Sequence, residues 1–83
     1  MKLEILTPDK IVYEGDVTSV TVPGTMGSFQ ILSDHAPIIS TLEQGSIIVQ
    51  STQKGIETFS VKSGVLEVLD NKVMVLVEGL SAH

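Results

Sequence analysis

Short runs in which apolar and polar residues alternate fill almost the whole chain. Residues 2–6 place Leu3 and Ile5 on one face, residues 17–22 set Val20 and Val22 together with Thr21 opposite, and residues 28–31 align Phe29 with Ile31. Residues 46–51 carry Ile47 and Val49 on one side, and residues 56–61 keep Phe59 and Val61 in phase. A period of two marks a strand with one buried face. Further strands are predicted over 11–13, 38–42, 65–69 and 72–77. Turn-forming residues separate them: Pro8-Asp9, Gly15-Asp16, Pro23-Gly24 with Gly27, Gly45, Lys54-Gly55, Ser63-Gly64 and Asp70-Asn71. Proline removes a ladder donor, while Gly, Asn and Asp accept left-handed backbone angles, so each stretch breaks a strand. No window shows a helical stripe of useful length. About nine short strands at this spacing predict an all-β chain, a sandwich or a barrel. Residues 1–80 read as one domain, with 81–83 as a tail.

Two segments break the alternation. Val73-Met74-Val75-Leu76-Val77 is apolar on both faces, and Ile47-Ile48-Val49 nearly so. A strand has two faces, and only one of them can point into a given core. Such residues are either covered by a loop, scattered on the surface as aliphatics often are, or form an apolar surface that a partner covers.

Length and composition narrow the class. Eighty-three residues suffice for one domain that buries roughly 60–65% of its unfolded surface, so its stability margin is thin. There is no cysteine, hence no disulfide and no thiolate metal site. The core must come from Val, Ile and Leu, because the chain holds only two Phe, one Tyr and no Trp. The net charge is −5, and all five basic residues are lysines. Without arginine forks or a cluster of cations, nucleic-acid binding is not expected. An anionic membrane surface would repel the chain, and no apolar run approaches the roughly 20 residues needed to span a bilayer, so direct membrane insertion is not expected either. The first six residues carry an acid within the apolar stretch and read as a strand rather than a signal peptide.

Candidate chemistry is sparse. Asp34 precedes His35, but no serine lies in a Gly-x-Ser-x-Gly elbow, and a triad also needs an oxyanion hole. His35 therefore reads as a loop histidine bonded to backbone or to a neighbouring subunit, with a small hydrolase as the competing reading. The second histidine, His83, is in the tail, and Asp16, Asp34 and Asp70 do not follow a calcium-loop spacing, so no metal is expected. Gly24 and Gly27 precede neither a helix nor a P-loop lysine, so they shape a loop and cradle no phosphate. Lys54 stands at a predicted hairpin tip. A biotinyl or lipoyl carrier presents its lysine in that way, but the Met-Lys-Met or Asp-Lys-Ala context of carriers is missing. No cofactor is predicted.

The run Phe29-Gln30-Ile31-Leu32-Ser33-Asp34-His35-Ala36-Pro37-Ile38-Ile39 resembles the Gly-His-Ala-Pro-Leu-Leu region of the epsilon subunit of F-type ATP synthases. Leu3-Glu4-Ile5-Leu6-Thr7-Pro8 is similar to that family's opening strand. Tyr13-Glu14-Gly15 resembles its aromatic-x-Gly turn, and Val22-Pro23-Gly24-Thr25-Met26-Gly27 its loop before a short strand. Ser63-Gly64-Val65-Leu66-Glu67-Val68 resembles its Gly-Gly-x-x-Glu-Val segment, and Asn71-Lys72-Val73-Met74-Val75-Leu76 its last strand. The resemblance covers nearly the whole chain.

It implies a flattened β-sandwich of about nine or ten short, mostly antiparallel strands. It also implies a non-catalytic place in the central stalk of a bacterial ATP synthase, peripheral at the cytoplasmic face of the inner membrane. The implied partners are the gamma subunit on one side and the ring of c subunits below. Carried over by position, Thr7, His35, Pro37 and Ser40 would lie towards gamma, and Thr25, Met26, Gly27 and Ser28 would face the c-ring. Two positions depart from the pattern: Asp34 stands where the family often has glycine, and Ser63 replaces the first glycine of the Gly-Gly pair. Both could alter loop geometry. Many family members continue into a carboxy-terminal helical hairpin that can inhibit ATP hydrolysis and sometimes bind ATP. This sequence stops at His83 and reads as a naturally short member, which should do neither.

Overall fold

The computed structural model describes residues 1–82; His83, counted in the expected tail, lies outside the described residues. Ten strands are present: β1 (Lys2–Leu6), β2 (Ile11–Asp16), β3 (Ser19–Gly24), β4 (Gly27–Leu32), β5 (Ile38–Leu42), β6 (Gly45–Ser51), β7 (Gly55–Val61), β8 (Ser63–Leu69), β9 (Lys72–Glu78) and β10 (Ser81–Ala82). All nine predicted strands form. The tenth falls in the expected tail, where Ser81 and Ala82 pair with Ser60 and Phe59. The half-buried Leu80 packs on the core and brings the chain back to β7.

The strands join in the order β10-β7-β6-β3-β5-β8-β9-β1-β2, with β4 on the other edge of β3. This single sheet folds over on itself at β3, whose contact with β5 is one pair, Gly24 opposite Leu42. Along the same edge, Ser19–Thr21 pair with β6 instead. One layer is thus β4, β3, β6, β7 and β10, and the other is β5, β8, β9, β1 and β2. On the far side the aromatic rings of Tyr13 (β2) and Phe59 (β7) meet edge to face, 6.0 Å apart, and close the sandwich.

Pro23 marks the place where the edge of β3 changes partner. In a strand, the N–H and C=O of one residue point to the same edge. The Pro23 carbonyl accepts from the Glu43 N–H at 2.8 Å, on the edge away from β4. The donor that proline lacks would point there too, so the β4 ladder loses nothing. Pro23 and Gly24 therefore remain in the strand, opposite Ser28 and Gly27, where the sequence predicted a loop. Other predicted turn residues are absorbed too: Glu14-Gly15-Asp16 extends β2, Gly45 opens β6, Gly55 opens β7 and Ser63-Gly64 opens β8.

One core fills the space between the layers. Leu3, Ile5, Val20, Val22, Ile31, Ile47, Leu66, Val73, Val75 and Val77 are fully buried, and the first six are the in-phase residues of the alternating runs. Each such side chain contributes roughly 1.5–3 kcal/mol on leaving water. β1 and β9 run parallel, which lets the two ends of the chain share this core. Asp70 and Asn71 both take positive φ, 51° and 60°, and close the β8–β9 hairpin as the expected two-residue turn.

Candidate functional site

Three regions of this fold stand open to a partner. The first is the β3–β4 hairpin. Its loop is only Thr25 and Met26, between the paired Gly24 and Gly27. Gly27 closes the turn at φ 124°, which a side chain would oppose. Met26 is 99% exposed, an apolar side chain held at the very tip. The hairpin is not loose. Thr25 N–H donates to the Thr41 carbonyl at 3.0 Å, and the two threonine hydroxyls share a hydrogen bond of 2.8 Å. Thr25, Met26, Gly27 and Ser28, the residues expected towards a c-ring, thus form one exposed projection braced against β5.

The second region is the loop that joins β4 to β5. Asp34 has φ 64°, a conformation that suits glycine. Aspartate is among the few other residues that visit this region, so Asp34 follows the loop path at little cost. The Asp34 N–H donates to the Asn71 side-chain carbonyl at 2.8 Å and ties the loop to the β8–β9 turn. The half-buried His35 donates from Nδ1 to the Ala36 carbonyl at 2.7 Å. This is the backbone-bonded loop histidine of the sequence reading. Among the described residues no group of three His, Asp or Glu side chains could hold a metal ion. Asp34→Val should cost about 1–2 kcal/mol through the left-handed backbone, whereas Asp34→Gly should leave stability close to wild type. Urea midpoints of the two variants check this, and equal midpoints would contradict the geometry.

The residues expected towards gamma do not gather in one place. Ile38 stands opposite Val68, Val68 opposite Val73, and Val73 opposite Leu3, so His35 and Pro37 lie at the end of the sheet where β1 begins. Thr7 follows Leu6 at the other end, level with Thr41 and the Thr25 hairpin, and its N–H donates to the Lys10 carbonyl. Ser40 is opposite the fully buried Leu66, on the core side of β5, and its hydroxyl donates to the Thr41 carbonyl at 3.2 Å. Lys54 does lie in the β6–β7 turn, but its Nζ rests 4.7 Å from the centre of the Tyr13 ring. It helps to close the sandwich, a task that a carrier lysine does not have.

The third region is the outer face of β5, β8 and β9. Ile39, Val65, Leu69 and Leu76 are 74%, 45%, 51% and 46% exposed there, with Met74 half-buried among them. Among the described residues no loop covers this side. The double apolarity of residues 73–77 was its sequence signal. Ile39, Val65 and Leu69 were not singled out by the sequence reading, although the adjacent apolar pairs Ile38-Ile39, Val65-Leu66 and Val68-Leu69 break the alternation in the same way. Ile48, the other apolar residue flagged by the sequence, faces out between Thr21 and Thr58 on the opposite layer, amid polar neighbours. Two shallow depressions, of about 370 and 330 Å³, run along the β5–β8–β9 face.

Comparison with known proteins agrees with these features. Residues 1–82 match the family described as the ATP synthase, Delta/Epsilon chain, beta-sandwich domain. The ATP synthase epsilon chain of Sulfurimonas denitrificans is 45% identical over 82 residues, covering 99% of this chain and 63% of the relative. That of Chlorobium limicola is 40% identical over 80 residues, covering 96% of this chain and 91% of the relative. The chain thus spans less than two thirds of the first relative and nearly all of the second. A chain in the structure of the Tetrahymena thermophila mitochondrial ATP synthase central stalk and c-ring has the same fold, with a TM-score of 0.86 at 21% identity over 98% of this chain and 65% of that one. With the match extending over every described residue, this chain belongs to the β-sandwich family of ATP synthase delta and epsilon chains, as an epsilon-type chain.

Proposed function

We propose that this chain is a non-catalytic central-stalk subunit of an F-type ATP synthase, linking the gamma subunit to the ring of c subunits and turning with both. Family membership across residues 1–82 carries the reading. The fold suits it physically. A rotor part must transmit torque between two contacts, and a close-packed sandwich deforms little. The braced tip from Thr25 to Ser28 provides one contact, towards the c-ring. Thr7, His35, Pro37 and Ser40 are assigned to the gamma side, with His35 and Pro37 at one end of the sheet and Thr7 at the other. In this reading the protein sits at the cytoplasmic face of the bacterial inner membrane as a peripheral part of the complex. No helix among the described residues is long and apolar enough to cross a membrane.

The test is reconstitution of the host's ATP synthase stripped of its own epsilon subunit. The wild-type chain should bind gamma and restore ATP-driven ion pumping. His35→Glu should weaken gamma binding. Met26→Asp should keep gamma binding and lose at least half of the restored pumping, because it puts a charge on the exposed tip. A well-folded wild type that neither binds gamma nor restores pumping would overturn the proposal.

A further inference from the structure

The exposed tip of the β3–β4 hairpin lies beyond Pro23, and its direction is set by a stretch distant in sequence. Residues 41–45, where β5 turns into β6, hold the root of the hairpin. Leu42 is buried and fixes this stretch to the core. On one side of it the Glu43 N–H donates to the Pro23 carbonyl at 2.8 Å, and on the other the Thr41 carbonyl accepts from the Thr25 N–H at 3.0 Å. The hydroxyls of Thr41 and Thr25 add a bond of 2.8 Å.

Gly45 makes the remaining contact, and it is steric. A Cβ at this position would stand 2.7 Å from Cβ and 3.2 Å from Cγ of Pro23. Positive φ occurs at Gly27, Gly55 and Gly79 but not at Gly45, so the backbone there does not require glycine. The nearness of the Pro23 ring does. A change of ring pucker moves Cγ but not Cβ, whose place is set by the backbone. Carbon atoms rest about 3.5–4.0 Å apart, so a methyl group on residue 45 must push the root of the hairpin back by about 1 Å. The tip, carried on this root, has to follow. Gly15 in β2 is the contrast: its φ is not positive either, and a Cβ there meets nothing closer than 3.9 Å.

We infer that Gly45 and Thr41 are positioning residues: they aim the β3–β4 hairpin and so decide where the tip, residues 25–28, meets a c subunit. The inference rests on the stalk reading and adds to it two residues that act through the hairpin rather than by touching the ring. The tip offers one apolar side chain, Met26, at its extremity. A gap of about 0.5–1 Å already forfeits a quarter to a half of a dispersion contact, so an aiming error of the size forced by a methyl group at residue 45 is enough to spoil it. A merely structural brace would behave differently, costing stability and leaving a folded variant fully active.

The experiment compares the full chain as wild type, Gly45→Ala, Gly45→Ala combined with Pro23→Ala, Thr41→Val, Thr41→Ser and, as a control, Gly15→Ala. Thermal melts establish which variants fold. Residual dipolar couplings of the residue 24–28 amides, measured on the isolated chain, read the direction of the hairpin against β8 and β9. Gly45→Ala should move these couplings and leave those of β8 and β9 in place, and removing the Pro23 ring should bring them back. In the host's ATP synthase stripped of its own epsilon subunit, Gly45→Ala should bind gamma like wild type, yet the ions pumped per ATP hydrolysed should fall by about threefold. The combined variant should recover most of that ratio, a rescue that lost stability would not show. Thr41→Val should lower the ratio by about twofold through the missing hydroxyl bond, whereas Thr41→Ser and Gly15→Ala should match wild type. If Gly45→Ala does not fold, Thr41→Val against Thr41→Ser decides by the same readings. Unmoved couplings in Gly45→Ala would overturn the inference, and so would a redirected hairpin that pumps like wild type. Either result leaves the stalk reading standing, while a wild-type chain that neither binds gamma nor restores pumping sinks both.

Discussion

Leu66→Ala should lower the stability of this domain by about 2–5 kcal/mol, the cost of removing a buried leucine side chain and leaving a cavity behind. Leu66 has no exposed surface and lies in the middle of β8, opposite Ser40 on β5 and Val75 on β9. Its neighbours are held in paired strands on both sides and cannot collapse into the gap. A domain of this size has a total stability of only about 4–12 kcal/mol, so the loss is a large share of the whole. The urea midpoint should fall steeply while the slope of the transition stays the same. Leu69→Ala is the control. Leu69 follows on the same strand, but it is half exposed on the outer face, and its loss should cost under about 1 kcal/mol. Equal effects of the two substitutions would mean that β8 does not have the register described.

Gly64→Val should be nearly as damaging, for a different reason. A Cβ at Gly64 would stand 2.7 Å from the Leu76 carbonyl oxygen and 3.1 Å from a methyl of Val77. The first obstacle is backbone in a paired strand, so the β8–β9 ladder itself must open. Overpacking of this kind costs about 1–3 kcal/mol, and valine adds two further methyl groups to the clash. Ser63→Val, one residue earlier and exposed, should be nearly neutral. Within the Ser63-Gly64 pair, Gly64 is therefore the position without room for a side chain. A Gly64→Val protein with a wild-type midpoint would refute the close approach.

These two residues show how the sequence and the tertiary structure divide the work. For Leu66 the sequence predicted the strand, 65–69, but not the side, because Val65 and Leu69 on the other face are apolar too. Gly64 was read as a turn residue, and nothing local says that a carbonyl from residue 76 lies against it. The Pro23-Gly24 stretch failed in the same way. Its place in the β3 ladder depends on Glu43 sitting at the edge that proline cannot use.

By itself, the sequence determined the all-β class, nine of the ten strands and the core side of the runs around Leu3, Val20, Ile31, Ile47 and Phe59. Period-two patterning and turn residues are local properties, and they suffice for this. The motifs around His35 and Glu67 carried the family resemblance. Only the tertiary structure decided that β1 lies parallel to β9, that Thr7 and His35 are at opposite ends of the sheet, and that Ile39, Val65, Leu69, Met74 and Leu76 meet on one open face. Alternation tells which residues of a strand share a side. Which strands become neighbours, and therefore which side chains meet across them, is set by long-range pairing that no single segment encodes.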